Sequence, residues 1–154
     1  MSRGSFHSKP YGNPPPRRPV KVLFDPAAED AQLFDTLAEE QADELSINSA
    51  QLRRFFGEIK DLYRQYNALV ATAPDDEARL KLYRERIEPR FKMVRSKVSY
   101  ATRAGGQTKV PQEFADFLEK GIAKVTDHNA FRKFVLHLEA VVGFMYGKGR
   151  VEGR

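Results

Sequence analysis

The sequence predicts an all-α fold: a bundle of about five helices behind a disordered, Pro/Gly-rich basic N-terminal tail. Three observations lead to this. Apolar residues return every three or four positions over most of residues 29–147, the period of a helix with one buried face. Cap and stop residues fall between those periodic stretches. No stretch alternates apolar and polar residues strongly enough to compete as a strand.

Residues 1–20 hold five of the nine prolines, three of them consecutive at Pro14 to Pro16. Such a segment cannot bury enough apolar surface to offset its ordering entropy, so residues 1–24 read as a disordered basic tail. Residues 25–147 then form one helical domain, and residues 148–154 (GRVEGR with Lys148 before it) read as a loose C-terminal tail. Within the domain, residues 29–45 place Leu33, Phe34, Leu37 and Ala38 on one stripe, which predicts a short acidic helix docked on the rest. Asn48 suits an N-cap for a second helix, with Gln51 placed as in a capping box and Ile47 and Leu52 as a hydrophobic staple. From there Leu52, Phe55, Phe56, Ile59, Leu62, Tyr63, Tyr66, Leu69 and Val70 carry the helix to about Ala73.

Pro74-Asp75-Asp76 stops that helix, with Asp75 or Asp76 capping a third that spans roughly residues 77–103. Pro89 inside it must kink it or split it, and Gly105-Gly106 is the expected stop. Pro111 suits the first turn of a fourth helix with Phe114, Phe117, Leu118, Ile122 and Val125 on its apolar face. Thr126 or Asp127 caps a fifth, which turns Phe131, Phe134, Val135, Leu138, Val141, Val142 and Met145 to the core. A second apolar strip on that helix, Leu136, Ala140, Gly143 and Phe144, means either a central position or a subunit interface.

Charge is distributed unevenly. The chain has 154 residues and a formal net charge of +5. Residues 1–22 carry five bases and no acid, residues 25–45 carry eight acids and no base, and the remainder carries 21 bases against 13 acids. The acidic run reads best as a solvated face; a contact for a basic neighbour and a screen over the basic surface are its alternatives. The basic surplus on the folded part favours a polyanionic partner, nucleic acid before an acidic small molecule. Between Arg79 and Arg103 stand nine bases and only two acids, Glu85 and Glu88.

At 100° per residue, Arg53, Lys60 and Arg64 fall together on the second helix, opposite its apolar face and around Gly57. Lys81, Lys92 and Arg103 recur every eleven residues on the third, and Arg86, Arg90 and Lys97 make a further row. Bases in series can each neutralise one phosphate of a strand, although a solvated basic face gives the same pattern. Phe55, Phe91, Phe131 and Phe134 sit at core spacing. Tyr100 lies off the apolar stripe between Lys97 and Arg103, which makes it the one candidate for stacking on a base.

Catalytic chemistry finds little support. With no cysteine there is no disulfide, thiol nucleophile or Cys-ligated metal, in keeping with a reducing cytoplasm. His7, His128 and His137 form no metal-ligand spacing, and there is no nucleophile elbow or P-loop. Glu139 is better placed to pair with an arginine in the bundle than to catalyse. Neither a cofactor nor a metal is expected. No apolar run approaches the roughly 18 residues of a membrane span, and the polar N-terminus is unlike a secretory signal.

Three segments in order resemble a known family. Asn48-Ser49-Ala50-Gln51-Leu52-Arg53-Arg54, followed by Ile59 and Tyr63, resembles the "T-S-x-[IL]-R-x-hydrophobic" opening of the small subunit of the type III-A CRISPR effector, the Csm complex. Lys97-Val98-Ser99-Tyr100-Ala101-Thr102-Arg103 resembles its "K-[IL]-x-Y-x-x-(x)-R" segment, and FRKFVLHLEAVVGF at 131–144 its closing helix. The resemblance covers residues 45–147. Asn48-Ser49-Ala50 replaces the usual Thr-Ser, and Gly105-Gly106 follows the arginine instead of a glycine preceding it.

The resemblance implies a non-catalytic helical subunit whose copies stack beside the crRNA-binding backbone subunits. There they line the channel for the crRNA–target RNA duplex and meet the large polymerase-like subunit at one end. Arg53, Lys97 and Arg103 sit on matched motif positions; Arg54, Lys60, Arg64 and Lys92 join them from helical geometry, and Leu136, Ala140 and Phe144 are the expected subunit interface. The alternative is a helical protein–protein adaptor with no nucleic-acid contact.

Overall fold

The computed structural model describes residues 19–103 and 109–153. The predicted disordered tail up to residue 18 and the Gly105-Gly106 stop lie outside them. The all-α prediction holds. The chain runs α1 (Asp30–Leu33), α2 (Thr36–Ala42), β1 (Ile47–Asn48), α3 (Ser49–Val70), α4 (Asp76–Leu82), a π turn (Tyr83–Ile87), α5 (Glu88–Ala101), α6 (Gln112–Ala123), α7 (His128–Gly147) and β2 (Val151–Glu152).

Side-chain caps set three of the helix starts. Asn48 Oδ1 accepts from Gln51 N at 2.8 Å, Asp75 Oδ1 from Ala78 N at 2.9 Å, and Asp127 Oδ1 from Ala130 N at 2.7 Å, each satisfying a first-turn N–H that has no partner within its helix. The reciprocal half of the capping box is not made, because Gln51 Oε1 is buried without a partner. α3 ends at Val70, three residues short of the predicted Ala73. Pro89 splits the third helix by way of the π turn immediately before it. Proline lacks an N–H and its ring crowds the carbonyl four residues back; the wider turn accommodates both.

α7 occupies the middle of the bundle, touching α1, α2 and α3, while α5 lies against α3 and α6. Phe55, Phe91, Phe131 and Phe134, read as core residues from their spacing, are fully buried, as are Phe24, Phe114 and Phe117. Two pairs of their rings meet edge to face, Phe91 and Phe131 at 4.9 Å between centroids and Phe24 and Phe134 at 5.1 Å, each such pair adding roughly 0.5–1.5 kcal/mol beyond area burial. α6 approaches α7 closely at Gly121, where a Cβ would collide with the Phe134 ring.

Three boundaries differ from the prediction. The single acidic helix is two, broken at Phe34 and Asp35. The break frees the Leu33 carbonyl, and His137 Nδ1 of α7 donates to it at 2.7 Å. Residues 20–24, expected in the tail, dock on the bundle: Val20 and Phe24 are in the core, and the Gln41 amide bridges Leu23 N and Lys21 O, both at 2.7 Å. Residues 148–153 are not loose. β2 pairs in parallel with β1, Ile47 opposite Val151, and Arg150 donates to the carbonyls of Leu45 and Asp43, both at 2.8 Å. Segments this short give no periodic signal, because too few of their residues reach the core to repeat a pattern.

The acidic run is more than a solvated face: four of its carboxylates, still 45–56% exposed, also pair with bases. Asp30 meets Arg132 at 3.0 Å and Lys133 at 3.8 Å; Lys148 meets Asp43 at 2.9 Å and Glu39 at 3.4 Å; Lys21 meets Glu40 at 3.5 Å. It is a contact for basic neighbours.

Candidate nucleic-acid interface

α3 carries bases on both flanks of its outer side because its apolar residues claim only one face. On the flank toward α7 stand Arg53, Lys60 and Arg64, one or two turns apart around Gly57. Lys60 Nζ reaches Glu139 Oε2 of α7 at 3.0 Å and lies 5.6 Å from the Phe56 ring centre. Glu139 is therefore paired, with a lysine at the surface and not with a buried arginine. Arg64 pairs with Asp61 in its own helix, and Arg53 is exposed.

On the flank toward α5, Arg54 lies exposed with its guanidinium 4.9 Å from the Phe55 ring centre. Lys97 Nζ of α5 meets Glu58 Oε2 at 2.6 Å, and Arg90 Nη1 meets Gln65 Oε1 at 2.8 Å. Arg103 is exposed just past the end of α5, two residues beyond Ala101. The fold thus brings six of the seven expected residues to the two flanks of α3 and the adjoining end of α5. Glu58 and Gln65 were not anticipated. Their seven-residue spacing repeats that of Arg90 and Lys97, and that match was the available signal.

Lys92 is the exception. Its Nζ donates to the carbonyls of Ile122 at 2.7 Å and Val125 at 2.6 Å, capping the C-terminal end of α6, and burial lowers its pKa. The π turn changes the phase between Lys81 and Lys92, so the expected eleven-residue row through Lys81, Lys92 and Arg103 does not form.

Leu136, Ala140 and Phe144 are half-buried, with Ala140 and Phe144 packed against the core. One turn beyond Phe144, Lys148 reaches α2, so α2 flanks this strip on the central helix.

The two histidines among the described residues, His128 and His137, do structural work. His128 Nε2 pairs with Asp76 Oδ1 at 2.7 Å, joining the starts of α7 and α4, and this hydrogen bond lowers the Asp76 pKa. Among the described residues no group of three or more His, Cys, Asp or Glu could hold a metal ion. No helix among them is long and apolar enough to cross a membrane.

No curated protein and no solved structure matches the chain. The family model for Csm2 Type III-A matches residues 28–148, a span that takes in every helix from α1 to α7. It includes the capped start of α3 and the closing helix α7, two of the segments that carried the resemblance. The chain belongs to the Csm2 Type III-A family, the small subunit of the type III-A Csm complex.

Proposed function

We propose that this protein is a non-catalytic subunit of a type III-A CRISPR ribonucleoprotein in antiviral defence, acting in the cytoplasm. It stacks in copies along the complex and lines the channel for the crRNA–target RNA duplex with the basic flanks of α3. Its partners are crRNA and target RNA, the backbone subunits, the large polymerase-like subunit and further copies of itself, the last through Leu136, Ala140 and Phe144.

The observation that carries this reading is the arrangement of Arg53, Lys60 and Arg64 on one exposed flank of α3, with Arg54, Lys97 and Arg103 on the other. Where these side chains meet acids, the pairs are at the surface, and such pairs contribute only about 0–1 kcal/mol. Exchanging a carboxylate for a phosphate there is inexpensive. Lysine and arginine presented by helices read charge and shape, so sequence specificity comes from base pairing by the guide.

Fluorescence anisotropy with labelled RNA duplex at about 50 and 200 mM salt tests the reading. Affinity is expected to fall about tenfold or more between those salts, and to be lost in the R53E/K60E/R64E variant. Binding indifferent to salt and to the triple substitution would overturn it.

A further inference from the structure

On its solvent side α5 bears two of the three large apolar side chains that the described residues leave exposed: Met93, 55% exposed, and Tyr100, 75% exposed. Seven residues apart, they share one helix face and stand about 10 Å apart along the axis. Neither position is needed for the core, which Phe91, Val94, Val98 and Ala101 fill from the opposite side of the helix.

Bases surround this face. Lys97 contacts Glu58 and Arg90 contacts Gln65, each pair seven residues from the other on both helices, so α3 and α5 run antiparallel in register for two turns. Arg103 follows Tyr100 by one turn. At the other end of the seam is an open cleft of about 420 Å³ lined by Gln65, Ala68, Leu69, Arg86 and Arg90. Arg86 is exposed and makes no ion pair among the described residues. Gln65 Oε1 holds one edge of the Arg90 guanidinium and leaves its other N–H groups available. Two guanidiniums one turn apart suit a phosphate, which arginine binds through paired N–H donors.

An exposed aromatic ring set among cations, with a cationic cleft further along, complements a strand that offers phosphates and accessible base faces together. A duplex offers the phosphates but keeps its bases stacked inside. We propose that the α3–α5 seam is a track for single-stranded RNA, with a phosphate in the Arg86/Arg90 cleft and an unpaired base stacked on Tyr100. This rests on the RNA contact proposed above and adds to it the strand state that this face accepts. The acid on the track, Glu58, is paired with Lys97.

The test uses the full chain with labelled oligouridylate and oligoadenylate of about ten nucleotides, beside a duplex of the same length. Tyr100→Ala is expected to weaken single-strand binding about fivefold or more, the lower end of what one stacked base contributes, and to leave duplex binding within about twofold. Tyr100→Phe should retain the affinity. A 2-aminopurine in the oligonucleotide should be quenched by the wild type and not by Tyr100→Ala. R86E/R90E should lower the salt slope for the single strand by about two.

Single-strand binding that is absent, or indifferent to Tyr100, overturns the track; if duplex binding then persists, the proposed function stands. A wild type silent toward both RNAs overturns both readings. Reduced self-association in Tyr100→Ala with unchanged RNA binding would assign the face to a second copy of the chain and overturn the track as well.

Discussion

At the α1–α2 edge, Lys133 of α7 extends its amine to the carbonyls of Pro26 at 2.9 Å and Ala28 at 2.7 Å, with Asp30 at 3.8 Å. On the outer side of α3, Arg64 meets among the described residues only Asp61, one turn away in the same helix. The first side chain is 12% exposed and closes a contact between segments more than a hundred residues apart; the second is 67% exposed and closes none. Both are cations beside a carboxylate, so formal pairing does not separate them. What separates them is whether backbone groups depend on the cation for their hydrogen bonds. Lys92 and Lys124, which cap the carbonyls of Ile122 and Val125 and of Phe24, belong with Lys133. Arg53, Arg54 and Arg103 are exposed like Arg64.

The largest effect should come from removing one of the internal cations. Lys133→Ala leaves the Pro26 and Ala28 carbonyls without their donor in a half-buried site, a loss of about 2–3 kcal/mol. Urea unfolding would show it as a lower midpoint, and Lys133→Met, which keeps most of the stem, should recover little. A change below about 0.5 kcal/mol would abolish the distinction between the two regions.

Acid tests the same edge by a different route. His137 donates through Nδ1 to Leu33 O, its Nε2 is buried without a partner, and burial lowers its pKa below the ordinary 6.5. The unfolded chain therefore takes up the proton more readily than the folded one. The stability due to neutral His137 is complete above pH 6.5 and is lost as pH falls toward the depressed folded value. Asp76, whose pKa is also lowered, loses its contribution only below the carboxylate range, so the two windows separate. Urea midpoints from pH 8 to 5 should fall in the wild type, and the fall should be reduced in His137→Phe. A midpoint independent of pH over that range would contradict this.

Two glycines extend the comparison to helix interiors. Gly121 has no room for a Cβ because of Phe134, whereas a Cβ on Gly57, among the bases of α3, meets nothing within 4 Å. Alanine improves helix propensity at both by up to about 1 kcal/mol. At Gly121 overpacking exceeds that gain, and a net loss of about 1–2 kcal/mol is expected. At Gly57 the gain stands alone, about 0.5–1 kcal/mol of added stability. Thermal melts of the two variants should move in opposite directions.

The long amphipathic helices were legible because a buried face imposes a period: every position assigned to the core face of the closing helix α7 is buried. The cap Asn48 was legible, and Asp75 and Asp127 each as one of two neighbouring candidates, because a cap is a local chemical requirement. The break at Phe34–Asp35, the docking of residues 20–24 and the β1–β2 pairing were not. Each depends on a partner far along the chain, His137, Gln41 or Arg150, and sequence spacing carries no trace of it. The candidate interface followed the same rule. Bases on α3 could be placed from one helix alone, but the role of Lys92 depended on where α6 ends and on a π turn that changed the phase.

Arg64→Ala should have the smallest effect on folding and so gives the sharpest test of the contrast. Its partner Asp61 is exposed and local, which puts the expected stability change within about 0.5 kcal/mol. If the α3 flank meets phosphates, the same substitution should reduce the slope of log affinity against log salt for duplex RNA by about one, the signature of one lost phosphate contact. Lys133→Ala should do the reverse: a large drop in stability, and, at temperatures where the protein is still folded, an unchanged salt slope. A residue that changes binding but not folding has its partner outside the chain, and one that changes folding but not binding has its partner within it. If Arg64→Ala destabilised the protein by 2 kcal/mol or more, in the range expected for Lys133→Ala, α3 would be using its outer charges internally, and the basic flank would have to be read as part of the fold.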